Sequence, residues 1–132
     1  MIKTKANKKF DIDLKYGQVR EEQVKNIFAD KKIEVKTERD WWAKTGNIAL
    51  EYECNGKPSG ITATKSDYWI HILATGKKNH CMLVFEVSKL KKIIKKYKKY
   101  YTRMVGDRNA SKSVILPIKK LFDKEAIDVA AN

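Results

Sequence analysis

Glu34, Lys36, Glu51 and Glu53 are the residues whose types and spacing point most directly to chemistry. They sit in two apolar-rich stretches, Lys32 to Glu38 and Ile48 to Cys54, each of which alternates as a strand does. Glu34, Lys36 and Glu38 fall on one face of the first stretch, and Glu51 and Glu53 on one face of the second. Joined as a hairpin with apolar faces together, the strands would gather these carboxylates on one surface. Packed carboxylates repel unless a cation sits among them. Oxygen ligands with room for water suit Mg²⁺ or Mn²⁺. A plain amphipathic hairpin also alternates apolar residues with Glu and Lys. The metal reading gains on it because two such strands follow one another in a strongly basic chain.

The basicity is the loudest global signal. Among 132 residues, 29 Lys and Arg face 16 Asp and Glu, a formal charge of +13. That excess attracts polyanions, nucleic acid first and an acidic membrane surface second. Apolar residues make up 42% and charged residues 34%, which excludes a disordered chain and fits one globular domain with a single core. No apolar run reaches membrane-spanning length, and no apolar segment follows the basic start as a secretory signal requires. Cys54 and Cys81 are isolated, so two buried, reduced thiols in a cytosolic compartment are expected. There is no nucleophile triad pattern, no phosphate-binding glycine motif and no zinc spacing.

The elements that must position the acids follow from pattern. Residues 1–9 read as a flexible basic tail, Phe10 to Leu14 as a short strand or extended lead-in closed by Gly17, and Gln18 to Ala29 as a helix carrying Glu21. The connector Arg39 to Asn47 holds Trp41 and Trp42 between Arg39 and Lys44, a set suited to bases and phosphates, with one Trp expected to plug the core. Lys57 and Ser59 lie in a glycine-bearing loop. Thr64 to Asp67 resembles a helix start, which predicts a helix over Lys65 to Ala74 with Lys65 at its anion-attracting end and His71 packed within it. His80 to Glu86 reads as a strand covered on both faces. Ser88 then opens a helix to Tyr101 with Leu90, Ile93, Ile94, Tyr97 and Tyr101 on one stripe and seven lysines, Lys92, Lys95 and Lys99 among them, on the other. Ser113 to Ile118 reads as a strand with Pro117 at an edge or end, and a short helix finishes the chain. The expected class is α+β, a central mixed sheet flanked by helices.

A helix acid, Glu21, followed by strands bearing Glu34 and Glu51, a helix and a further strand resembles the PD-(D/E)XK nuclease superfamily over Gly17 to Glu86. The turn Thr45 to Asn47 and the loop Gly56 to Gly60 resemble small phage nucleases, including Holliday-junction-resolvase-like ones. The resemblance implies a restriction-endonuclease-like core and Mg²⁺-dependent cleavage of DNA. Two alignments are open. In one, Glu34-Val35-Lys36 is the acid-x-lysine element, and it lacks an upstream aspartate at hairpin spacing. In the other, Glu34 is the strand acid and Glu51-Tyr52-Glu53 is the acid-x-lysine with Glu in place of Lys. On the second, Glu21, Glu34 and Glu51 would hold the metal, with Lys36 or Glu53 positioning the attacking water. Arg39, Trp41, Lys44, Lys57, Ser59, Lys65, Lys92, Lys95 and Lys99 would hold DNA. Cutting two strands or a junction would require a homodimer. The alternative is a non-catalytic nucleic-acid-binding module on the same fold.

Overall fold

The computed structural model describes residues 5–132, with side chains from Asn7 onward. The chain is α+β and divides into two compact units, Met1–Lys32 and Ile33–Asn132. In the first, α1 (Lys5–Asp30) is one uninterrupted helix. The lead-in strand and the break at Gly17 therefore give way to helix, and of the expected basic tail residues 5–9 are helical while residues 1–4 lie outside the described residues. Gly17 has nothing near where a Cβ would stand, so it is a tolerated helix residue, not a stop. Arg20 stacks over the Tyr16 ring at 3.5 Å on the same helix.

The second unit carries seven strands in two sheets. β1 (Ile33–Arg39), β4 (Tyr68–Thr75) and β5 (Lys78–Glu86) form a mixed sheet in the order β1-β4-β5, with β1 and β4 parallel. β2 (Asn47–Cys54), β3 (Lys57–Pro58), β6 (Thr102–Val105) and β7 (Ser111–Pro117) form an antiparallel sheet in the order β3-β2-β7-β6. Thus β1 and β2 do not pair as a hairpin. The short helix α2 (Trp41–Thr45) and its left-handed Gly46 send the chain from one sheet into the other.

The segment expected to be a helix is β4 instead. Its run Tyr68-Trp69-Ile70-His71-Ile72-Leu73 is aromatic and β-branched, and as the central strand it needs neighbours on both edges, which β1 and β5 supply. The two-residue turn at Gly76 (φ +57) fixes the β4–β5 register. β5 is covered on one face only. Cys81, Leu83 and Phe85 pack on the core while Met82 and Val84 stay about half exposed. Both cysteines are free and half-buried, where full burial was expected.

The core lies between the inner faces of the two sheets and α3 (Val87–Tyr101). Ile48, Leu50, Val114 and Leu116 come from β2 and β7, Trp69 and Leu73 from β4, and Leu90, Ile93, Ile94 and Tyr97 from α3. Burying an aliphatic side chain of this kind contributes about 1.5–3 kcal/mol. The helix begins at Val87 directly behind Glu86, with no side-chain cap from Ser88. Pro117 ends β7, which is interior rather than an edge. A 3-10 segment Ile118–Phe122 and α4 (Lys124–Ala131) close the chain.

One buried polar chain ties the sheets together. The Trp69 indole Nε1–H donates to His71 Nδ1 at 3.1 Å, and His71 Nε2–H donates to Glu38 Oε1 at 2.7 Å. The same oxygen accepts the backbone N–H of Ala49 on β2. An indole nitrogen only donates, so Nδ1 carries no proton and His71 is the neutral Nε2–H tautomer. His71 is packed, as expected of it, although in a strand.

Glu38→Ala would leave the His71 and Ala49 donors without an acceptor, each costing about 1–3 kcal/mol. Unfolding in urea should show a loss of roughly 2–6 kcal/mol, with Glu38→Gln losing clearly less because its carbonyl still accepts. Equal losses would remove the acceptor argument. Tyr97 gives a second check, since its hydroxyl is buried without a hydrogen-bond partner among the described residues. Burial first, then the Glu125 carboxylate, pushes the phenol up from its usual value against a smaller pull from Lys120. The unfolded chain therefore ionises first, so this contribution is full below about pH 10 and lost as pH rises above it. Tyr97→Phe should be as stable as the parent or more so at pH 7, and should show a shallower loss of stability between pH 9 and 11.

Candidate nucleic-acid interface

The lysine face of α3 is built by the apolar stripe beneath it. Burying Val87, Leu90, Ile93, Ile94 and Tyr97 forces Lys91, Lys92, Lys95, Lys98 and Lys99 outward by helical geometry alone. Seven lysines on fifteen residues repel one another, and only two have an acidic partner among the described residues. Lys89 bonds Glu86 at 2.7 Å, which holds its ammonium above the usual lysine value, and Lys96 lies 3.6 Å from Glu125. The other five carry no ion pair among the described residues.

Those five line connected hollows. One groove of about 890 Å³ is bounded by Lys92, Lys95, Lys98, Lys99, Tyr52 and Tyr100. A smaller one of about 340 Å³ runs between Tyr52, Thr62, Lys91, Lys95 and Lys98. Lys98 Nζ stands 4.5 Å from the Tyr52 ring centroid and Lys99 Nζ 5.0 Å from that of Tyr100. The Tyr52 hydroxyl lies 3.0 Å from Thr102 Oγ1, which fixes the floor of the groove. Tyr52 sits where the β2–β7 register shifts, and its carbonyl accepts from Ser59 N–H at 3.1 Å and from the Thr62 hydroxyl. The hairpin turn Asn55-Gly56, both at positive φ, brings that loop back.

No protein family model, curated protein or solved structure matches the chain. The chemistry of the interface rests on its own geometry.

The acids of the expected metal centre sit on three elements, Glu34 on β1, Glu51 and Glu53 on β2, and Glu21 on α1. Glu34 lies half-buried on β1 and accepts from Thr64 Oγ1 at 2.8 Å. Lys36 is exposed on the same strand, in register with His71. Glu51 is half-buried on β2 in the other sheet, and Glu53 pairs with Lys112 at 3.2 Å. Glu21 is exposed on α1, in the other compact unit. Among the described residues no three His, Cys, Asp or Glu side chains form a group able to hold a metal ion. The hairpin premise fails because β1 joins the sheet of β4 and β5 while β2 joins that of β3, β7 and β6.

The expected DNA contacts divide. Lys92, Lys95 and Lys99 line the large groove. Trp41 is 69% exposed with Lys44 Nζ 5.4 Å from its ring centroid, and Arg39 is exposed nearby on the end of β1. Trp42 instead packs on the core, its indole donating to Ala74 O at 2.8 Å, so the two tryptophans do separate jobs. Lys57 is exposed on β3 and Lys65 in a loop without the helix end expected beside it. The Ser59 hydroxyl is buried, out of reach of a ligand, which corrects its expected role. Pattern reading missed Tyr52, Tyr100 and Arg103. The sequence Tyr100-Tyr101-Thr102-Arg103 directly after the lysine run was the available signal.

Gly60 holds the loop against β2. Its φ is +51, and a Cβ there would lie 2.2 Å from the Glu51 carbonyl oxygen. Gly60→Ala should therefore destabilise the protein by about 2 kcal/mol or more, combining left-handed strain with a backbone clash. A thermal melt within about 2 °C of the parent would contradict this placement.

Proposed function

We propose that the Ile33–Asn132 unit binds nucleic acid through the lysine face of α3 and the Tyr52–Tyr100 groove. The observation carrying this reading is five lysines without ion pairs on one helix face, interleaved with tyrosines around an open groove. Cations so placed release counterions when they meet phosphates, and rings beside them suit bases. A solvated helix face ordinarily mixes both signs of charge. Among the described residues this one has acidic partners, Glu86 and Glu125, at Lys89 and Lys96 alone.

The cleavage reading implied by the nuclease resemblance draws less support. Among the described residues no three His, Cys, Asp or Glu side chains form a metal-binding group, and Glu53 is engaged by Lys112. The binding reading needs no metal.

Fluorescence anisotropy with labelled DNA across a salt series tests the proposal. With about five phosphate contacts, log K should fall with log[salt] at a slope near −4.5 on duplex or −3.5 on a single strand. Replacing Lys92, Lys95 and Lys99 with Gln should flatten the slope by close to one unit per true contact. Lys89→Gln and Lys96→Gln should change it less, since their charge is already partnered. A parent slope that the triple variant leaves unchanged sinks the interface. Binding to phosphatidylserine vesicles in preference to DNA would favour the membrane surface instead. Mg²⁺-dependent cutting of plasmid or branched DNA, lost in Glu34→Ala and Glu51→Ala, would restore the nuclease.

A further inference from the structure

We infer that the ligand is a single strand, running from the α3 lysines around the β6 edge to Trp41; this rests on the nucleic-acid reading above. Three hollows share lining residues in sequence. The groove at Lys92, Lys95 and Lys99 shares Tyr100 and Thr102 with a second of about 370 Å³. The second shares Asn47, Arg103 and Ile115 with a third of about 490 Å³, which reaches Arg39 and Trp41.

The path changes sides of the antiparallel sheet. Thr102 is in register with Val114, which is fully buried on the core face, and its hydroxyl meets that of Tyr52. Arg103, the next residue, points to the opposite face, as do Ala49 and Ile115, which line the third hollow with it. β6 is the edge strand of its sheet, with no strand paired on its outer side. A ligand filling all three hollows must therefore bend sharply about one strand.

Duplex DNA, stiff over about 150 base pairs, does not follow such a turn without a large deformation cost, and its base faces are stacked inside. A single strand bends freely and presents its bases to rings. The rings are at hand. Tyr100 is 68% and Trp41 69% exposed, each with a lysine beside it, Lys99 at 5.0 Å and Lys44 at 5.4 Å. Arg103 and Arg39 supply charge between them. An alternation of cation and exposed ring along a bent track is what a base-stacking, backbone-tracking site requires.

The test compares a labelled thymidine 20-mer with a 20-base-pair duplex at equal salt, using the full chain. The 20-mer should bind more tightly. Trp41→Ala and Tyr100→Ala should each weaken it about 5- to 150-fold, the range of base–aromatic stacking, and leave duplex affinity within about twofold. Trp41→Phe and Tyr100→Phe should retain most of the affinity, because a ring remains. Equal affinity for both forms, or ring removal without effect on the 20-mer, overturns the single-strand track while leaving a lysine-face interface intact. If neither form binds, the nucleic-acid reading itself is overturned.

Discussion

The second unit depends on one carboxylate oxygen. Glu38 Oε1 accepts from His71 on its own sheet and from the Ala49 backbone on the other. His71 is completely buried and held in one tautomer by Trp69, so its proton points at Glu38 Oε1, on which the Ala49 amide also converges. Buried polar groups in a low dielectric are costly when unpaired and specific when paired. Here that specificity sets how the mixed sheet meets the antiparallel one. Nearby, Asp40 adopts φ +70 while its carboxylate accepts from Gly76 N–H and its own N–H donates to Ala74 O. The strained residue and the buried chain lie at the same crossing from β1 into β2.

That crossing decides what the acids can do. With β1 in one sheet and β2 in the other, Glu34 accepts from Thr64 and Glu53 pairs with Lys112. Five lysines without ion pairs among the described residues stand together on α3. Their concentration there costs stability through like-charge repulsion, offset by the buried stripe under the helix and by lysine–tyrosine contacts. The proposed function follows the uncompensated charge.

The expectations that held were those that rest on local pattern. The α3 stripe and its lysine face, the β5 and β7 strands, and the α+β class were all legible, because helical and strand periodicities are properties of neighbouring residues. The division of labour between Trp41 and Trp42 was legible too, as an expectation that one ring would pack and one would not. The misplaced elements share a cause. Thr64 to Asp67 imitates a helix start, yet Tyr68 to Leu73 is a strand because a central position in a sheet pairs both its edges. Gly17 and the alternation at Phe10 to Leu14 imitate a strand and a stop, yet the helix runs through both.

The sequence by itself determined the sign and location of the charge, the amphipathic character of α3, and the presence of exposed-type aromatics near basic residues. These follow from residue type and spacing over a turn or two. Only the tertiary structure decided that the two acid-bearing strands belong to different sheets, that Ser59 turns inward, and that Tyr52 and Tyr100 line the lysine groove with Arg103 in a neighbouring hollow. Strand pairing joins residues far apart in the chain, and alternation along a strand is the same whichever neighbour it takes. Which partner each strand takes is settled by burial and by hydrogen bonds such as those at Glu38.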